Sequence, residues 1–289
     1  MDTKPTPVDL FFTTYEPPTN AAKPPIIFIH GVLSSPYCWN NTKNRISDTT
    51  GRKVYAICLR NHGTSGWSDE FSVDHIAADL KNFMLKEKIP KAILIAHSLG
   101  GRVAIKFAME NPHLVEKLIA EDATFTVDKE QIQVGQEFRS VLKLAKNAVE
   151  QFPPSLSEAA AQKRLQQLFA FVWGKKPGGK SKSRPPTFTL PFHKDKSDKF
   201  VWDFNVDAII KSLTNADNFQ TNFSENSVCL AQAMFTSGEY SKIPVVKDKE
   251  LILKHFPNSK IICAEGVYHN YHLEKPDEFV KEVTKFIGV

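Results

Sequence analysis

Ser98 is the residue of this sequence best set to act as a nucleophile. It stands in Ala96-His97-Ser98-Leu99-Gly100-Gly101, directly after the apolar run Ala92–Ala96 and before a helix-like stretch from Arg102 to Glu110. Small residues two positions to either side suit a tight strand-to-helix turn that lifts the hydroxyl clear of its surroundings. Ala96 stands where glycine is more usual and adds only a methyl group. The helix that follows points N–H groups at the serine, and the Leu99 N–H is a candidate oxyanion donor. Such a serine attacks a carbonyl carbon once a neighbouring base takes its proton.

The base is expected on a loop late in the chain. Gly266-Val267-Tyr268-His269-Asn270-Tyr271-His272 follows the last apolar run, Ile261–Cys263. His269 lies nearer the end of that run and is preferred; His272 lies nearer the terminal helix. A second oxyanion donor is expected from His30-Gly31-Val32-Leu33, through the Val32 N–H, with Gly31 letting the backbone approach a substrate carbonyl. His30 reads as a loop anchor. Arg60-Asn61-His62-Gly63-Thr64-Ser65-Gly66 reads as a shaped loop at a strand's C-terminal end, with Arg60 and His62 as anchors.

The acid that orients the base has three candidates. In this arrangement the order along the chain is serine, acid, histidine. One acid slot follows the apolar stretch that begins at Val228, but there Ser241 stands three residues after Gly238, and Glu239 is off register. The other slot follows Leu118-Ile119-Ala120, where Asp122 would enter from the strand beside the nucleophile strand. Asp122 is preferred, with Ser241 free to hydrogen-bond His269 without charge. Asp207 and Glu239 stay open.

These residues need a scaffold that gathers strand ends. Short apolar runs recur at Ile26–Ile29, Val54–Leu59, Ala92–Ala96, Leu118–Ala120, Val228–Phe235 and Ile261–Cys263. Amphipathic stretches lie between them, with Ile76, Leu80 and Phe83 on one face and Phe279, Val280, Val283 and Phe286 on another. Alternating strand and helix predicts an α/β protein with a mostly parallel, doubly wound sheet. Val8–Tyr15 is expected to add an antiparallel strand. The rhythm breaks over 128–226, which holds helical pieces and ten of the 21 phenylalanines. It reads as a largely helical inserted cap, or lid, on a core formed by 1–127 and 227–289. Most of its aromatics are expected in the cap's own core, while some of Phe169, Phe171, Trp202 and Phe204 would fold over Ser98.

Composition narrows the function classes. The 289 residues include 42% apolar and 24% charged side chains, as in a folded globular chain. No apolar run exceeds six residues, against the roughly 20 of a membrane-spanning helix. The net charge of +5 is local. Trp173–Lys199 carries +6, which leaves −1 elsewhere, and no aromatic-interleaved basic motif accompanies it. A solvated loop is expected there, not a nucleic-acid site; contact with acidic lipid or a charged acyl thioester is the other reading. Cys38, Cys58, Cys229 and Cys263 lack metal or disulfide spacing, and three of them read as reduced core cysteines. Met1–Tyr15 has neither a secretory nor an Arg-rich transit pattern. The sequence carries no signal of oligomeric state.

The His-Gly loop, the Arg60–Ser65 run, the His97-Ser98-Leu99-Gly100-Gly101 turn and the late His269-x-x-His272 together resemble the α/β-hydrolase superfamily. Within it the chain is similar to the group of α/β-hydrolase domain-containing protein 11 and its bacterial esterase relatives. The resemblance covers nearly the whole chain, is weakest in 128–226, and is most specific in Arg60–Ser65. It implies a serine hydrolase of small-molecule acyl esters or thioesters, with no metal or other cofactor and no nucleic-acid partner. It also supports Asp122, because bacterial relatives carry Asp there and Ser near Ser241. The segment around Asp207 has been assigned an acid in other members. Animal members imply a mitochondrial setting, a cytoplasmic one being the alternative. Three features depart from the group: Ala96, Tyr268 where glycine is expected, and the extra Lys175–Lys199 stretch. The contrasting expectation is a ligand- or partner-binding protein on the same fold without catalysis.

Overall fold

The computed structural model describes residues 5–18, 23–125, 127–173, 189–221, 223–243 and 245–288, side chains 170–173 excepted. Its strands are β1 (Phe12–Tyr15), β2 (Ile26–Ile29), β3 (Val54–Ile57), β4 (Ala92–His97), β5 (Val115–Glu121), β6 (Phe192–Lys194), β7 (Phe200–Trp202), β8 (Gln232–Gly238) and β9 (Ser259–Ala264). Seven of them form one sheet in the order β1-β3-β2-β4-β5-β8-β9. β1 pairs antiparallel with β3, and all other neighbours in the sheet are parallel. This is the mostly parallel, doubly wound sheet that the strand–helix alternation predicts.

The helices are α1 (Lys43–Thr50), α2 (Val73–Lys86), α3 (Leu99–Glu110), α4 (Lys129–Glu150), α5 (Glu158–Trp173), α6 (Val206–Ser212), α7 (Lys249–His255), α8 (Tyr271–Glu274) and α9 (Pro276–Ile287). β2, β3 and β4 are buried at every residue, because each face of the sheet carries its own apolar layer. Ile27, Ile29, Leu94 and Ala96 meet the buried stripes of α2 and α3 on one face. Ile26, Phe28, Ile93 and Ile95 meet Trp39, Ile46 and the α9 residues Phe279 and Val283 on the other. α2 begins where Ser72 accepts a hydrogen bond from the His75 N–H, a side-chain cap that satisfies one free donor.

Two expectations change. The stretch beginning at Val228 enters the sheet only at Gln232, where pairing with Lys117 of β5 starts. Before that, only Cys229 turns inward, its N–H held by His255 O, while Val228 and Leu230 face out. Cys263 lies in β9 at the sheet's edge and is exposed, so only Cys58 and Cys229 are buried cysteines.

Between β5 and β8 the chain forms α4, α5, the β6–β7 hairpin and α6, none of which joins the central sheet. Asp128 caps α4 and Asn205 caps α6. This segment is tied to the loop after β3: Gly63 N–H donates to Asp203 O at 2.5 Å and Asn205 N–H to Asn61 O at 2.8 Å. Phe204 stacks on His62 at 5.9 Å. The basic residues from 175 to 184 lie outside the described residues. No described helix is long and apolar enough to cross a membrane.

Arg60 is the anchor of this region. Its Nε and Nη2 donate to the two oxygens of Asp79 at 2.6 and 2.7 Å, and both side chains are fully buried. Nη1 donates to Glu70 O and Nη2 also to Thr6 O. Asp79 in turn accepts from Val8 N–H. One ion pair thus fastens the N-terminal arm, the β3 loop and α2. Removing one partner leaves a buried charge, which costs about 3–5 kcal/mol. Urea unfolding of Asp79→Ala is expected to show a loss of that size, and of much less for the double replacement Arg60→Met with Asp79→Leu.

Candidate active site

Ser98 sits at the junction of β4 and α3 with φ 54° and ψ −118°. Positive φ is strained for a residue with a side chain. The surrounding contacts explain the small neighbours. A Cβ on Gly100 would lie 2.6 Å from the carbonyl oxygens of Ile29 and His30, and one on Gly101 would lie 2.5 Å from Ala123 Cβ. Ser98 N–H donates to Glu121 O at 2.9 Å, so the turn is pinned to β5.

The structure brings Ser98, His269 and Asp122 together. His269 Nε2 is 3.1 Å from Ser98 Oγ, and His269 Nδ1 hydrogen-bonds Asp122 Oδ2. With Nδ1–H donating to the carboxylate, Nε2 is left as an acceptor for the Ser98 hydroxyl. Asp122 follows β5 with φ 49°, and its N–H is held by Thr236 O. Ser241 Oγ donates to Asp122 Oδ2 at 2.5 Å, and Gly238 N–H donates to Oδ1 at 3.4 Å. Ser241 therefore supports the carboxylate and does not bond His269. Burial pushes the Asp122 pKa up, against the pull of the His269 and Ser241 hydrogen bonds. Burial lowers that of His269, but the hydrogen bond and charge of Asp122 outweigh it and leave it above the ordinary 6.5.

The other two acid candidates lie elsewhere. Asp207 is exposed near the start of α6 and pairs with Lys146 at 2.7 Å. Glu239 is exposed after β8, where its carboxylate accepts from Gly266 N–H at 2.8 Å. His272 is buried and directed to Glu121, its Nδ1 2.8 and 2.9 Å from the carboxylate oxygens. Tyr268 is accommodated because Gly238 lies under its backbone, where a Cβ would come within 1.8 Å of Tyr268 O. Its ring packs on Tyr240 at 5.2 Å.

Three supporting residues were not singled out from sequence. Glu274 accepts from the N–H groups of Tyr268 and Asn270, both at 3.0 Å, and so brackets His269. A carboxylate a few residues into the following helix was the available signal. His97 Nε2–H donates to His269 O at 2.9 Å. Its ring lies 4.7 Å from that of His269 and 5.0 Å from that of His272. His97, Glu121 and His272 form the one described group whose potential metal-binding atoms lie within 4.8 Å of one another. Within the group Glu121 holds His272, while His97 donates to the His269 backbone.

Val32 and Leu99 border the same cavity as Ser98 and His269. Leu99 opens α3, so its N–H has no partner within the helix. The loop carrying Val32 is held by two neutral histidines. His62 Nε2 accepts from Leu33 N–H, and His30 Nε2 accepts from Leu59 N–H, both at 3.1 Å. Burial lowers their pKa values to about 4 and about 3. The cavity measures about 1160 Å³. Phe138, Phe192 and Phe219 line it. Phe169 instead packs into the core beside Phe138, and Phe204 lies between His62 and Trp202, with none of the three on the cavity. The Phe171 side chain lies outside the described residues.

The sequence pattern of the α/β hydrolase fold family matches residues 24–276, and the chain belongs to that family. The sn-1-specific diacylglycerol lipase ABHD11 of Mus musculus is 26% identical over 269 residues, covering 93% of this chain and 82% of that protein. An abhydrolase domain-containing protein of Schizosaccharomyces pombe is 25% identical over 288 residues and 98% of each chain. Among solved structures, a marine microorganism esterase superposes with a TM-score of 0.73 at 24% identity, over 96% of this chain and 99% of that one; this likeness shows the fold.

Asp122→Asn is expected to lower kcat by a factor on the order of 10⁴, as loss of the orienting carboxylate does in Ser-His-Asp sites. Asp207→Asn and Glu239→Gln should stay within about twofold of wild type, since neither bonds His269. The pH profile carries a second readout. As a base for Ser98, His269 would have to be neutral, so kcat/KM is expected to fall as pH drops through a midpoint above 6.5. Asp122→Asn removes the charge that raises that midpoint and should move it down.

Proposed function

We propose that this chain is a serine hydrolase that cleaves small-molecule carboxylic esters or thioesters through an acyl-enzyme on Ser98. His269 takes the Ser98 proton as the hydroxyl attacks the acyl carbonyl, then returns it to the leaving alcohol or thiol. Asp122 holds the imidazole in the required tautomer and stabilises the imidazolium. The Val32 and Leu99 N–H groups receive the negative charge that develops on the carbonyl oxygen. Water, activated by the same histidine, then releases the acid. No metal or other cofactor enters these steps. The observation that carries the reading is the continuous hydrogen-bonded line from Ser98 Oγ through His269 to Asp122.

Residues 128–226 act in this reading as a cap over the core made by 1–127 and 227–289. Their Phe138, Phe192 and Phe219 give the cavity apolar wall suited to an acyl chain. The cavity volume favours substrates larger than acetate esters. The mouse relative is named as a diacylglycerol lipase, so acylglycerols are the first natural esters to try.

p-Nitrophenyl esters from C2 to C12 test this directly. Turnover is expected to rise with acyl length before it falls, and Ser98→Ala should lose it by a factor on the order of 10⁶. A fluorophosphonate should label wild type at Ser98 and leave Ser98→Ala unlabelled. A protein that only binds ligands on this fold would show neither turnover nor labelling.

A further inference from the structure

Resting on the acyl-enzyme reading of Ser98, we infer that Phe204 and His62 are positioning residues of the oxyanion hole: through them the cap segment 203–205 fixes the direction of the Val32 N–H.

Val32 stands between two peptide planes, and a buried histidine holds each. The Gly31 carbonyl and the Val32 N–H share one plane and point in opposite directions. His30 Nδ1–H donates to Gly31 O at 2.7 Å, so the Val32 N–H points away from that carbonyl. The next plane carries the Leu33 N–H, which donates to His62 Nε2 at 3.1 Å. Leu33 is buried and has φ 55°. A leucine in that region is strained, and it has no polar side chain to compensate locally. The conformation needs a partner from outside, and His62 supplies it. Relaxing Leu33 to negative φ would rotate the Val32–Leu33 plane and shift Val32 with it.

His62 Nε2 is an acceptor because Nδ1–H is committed to Arg60 O at 2.9 Å. His30 has the same tautomer, with Nε2 accepting from Leu59 N–H. Burial keeps the two rings neutral, lowering the pKa of His62 to about 4 and that of His30 to about 3.

The His62 ring is held in turn by the cap. Phe204 stacks on it at 5.9 Å, while Phe71 and His30 flank it at 6.0 and 5.1 Å. Of these three rings only Phe204 comes from 128–226. Its backbone forms an antiparallel bridge with His62, closed by the Gly63–Asp203 and Asn205–Asn61 hydrogen bonds. Phe204 is buried and does not border the cavity. Its route to the reacting carbonyl runs through His62 and Leu33, not through contact with an acyl chain.

A trifluoromethyl ketone inhibitor, used beside p-nitrophenyl esters from C2 to C12, tests this. Ser98 Oγ bonds to the ketone carbon as the C=O π pair moves onto oxygen and the serine proton passes to His269. The resulting oxyanion sits in the hole, so the inhibition constant reports the hole. Rates are taken per active serine, counted by burst titration. Phe204→Leu should lower kcat about tenfold at every acyl length and raise the inhibition constant equally, with KM within about twofold. His62→Phe keeps a ring against Phe204 but has no acceptor, and should cost about 10², near the loss of a hole donor itself. His62→Gln, whose amide oxygen can accept from Leu33 N–H, should recover most of that loss. A merely structural role would lower the count of active serines or the Tm and leave the per-site values alone. Amide exchange at Leu33, followed by NMR, should quicken in Phe204→Leu and His62→Phe. Per-site kcat and inhibition constants within about twofold of wild type in both variants overturn the inference, as do losses confined to KM or to long esters. Should His62→Phe not fold, Phe204→Leu decides alone. Wild type without Ser98-dependent turnover would instead defeat the proposed function; an unchanged Leu33 exchange rate would then overturn the link on its own.

Discussion

The backbone of Ser98 is the constraint around which this end of the sheet is built. A side chain at φ 54° costs on the order of 1–3 kcal/mol and persists only where its surroundings over-determine it. Here β4 is paired on both sides, by β2 and β5, and α3 begins at once. Gly100 lets that helix press against the carbonyls of Ile29 and His30, and Gly101 lets it press against Ala123. The same contacts set where the Leu99 N–H lies and how close the Val32 loop comes. Gly31 is part of this packing, since a Cβ there would be 3.1 Å from Ser98 Cβ. The buried histidines 30 and 62, both neutral because of burial, then hold that loop from behind.

The acid position follows from the neighbouring strand. Glu121 O holds the Ser98 N–H, and Asp122, one residue on, turns with φ 49° to meet His269. Two consecutive carboxylates thus leave β5 in different directions. Asp122 serves His269, and Glu121 serves His272. His97 stands between the two imidazoles and donates to the His269 backbone. Ser241 occupies the slot after β8 where an acid could have stood, and donates a hydrogen bond to Asp122.

Much of this was legible in the sequence where a residue type has a local reason. The buried strands announced themselves as unbroken apolar runs, and the turn at Ser98 by the small residues around it. Ala96 and Tyr268 looked like departures, yet each fits, Tyr268 because a glycine distant in sequence makes room beneath it. What was not legible depends on three-dimensional partners. The start of β8 is set by where β5 is available to pair, not by the apolar residues Val228 and Leu230. Which aromatics of 128–226 face the cavity depends on how its pieces pack on the core, so Phe138 and Phe219 line it while Phe169 and Phe204 do not. Which of Asp122, Asp207 and Glu239 lies beside His269 likewise needed spatial placement, because the Ser98–Asp122 and Asp122–His269 separations in sequence carry no geometry.

The central claim is that the acyl group passes through Ser98. Rapid quenching of the protein during turnover of a p-nitrophenyl ester, followed by intact and peptide mass measurement, tests it most directly. The account predicts a mass increase equal to the acyl group, located on the peptide containing Ser98 and chased off by water with time. Turnover accompanied by acylation of a different residue, with the Ser98 peptide unmodified throughout, would contradict it.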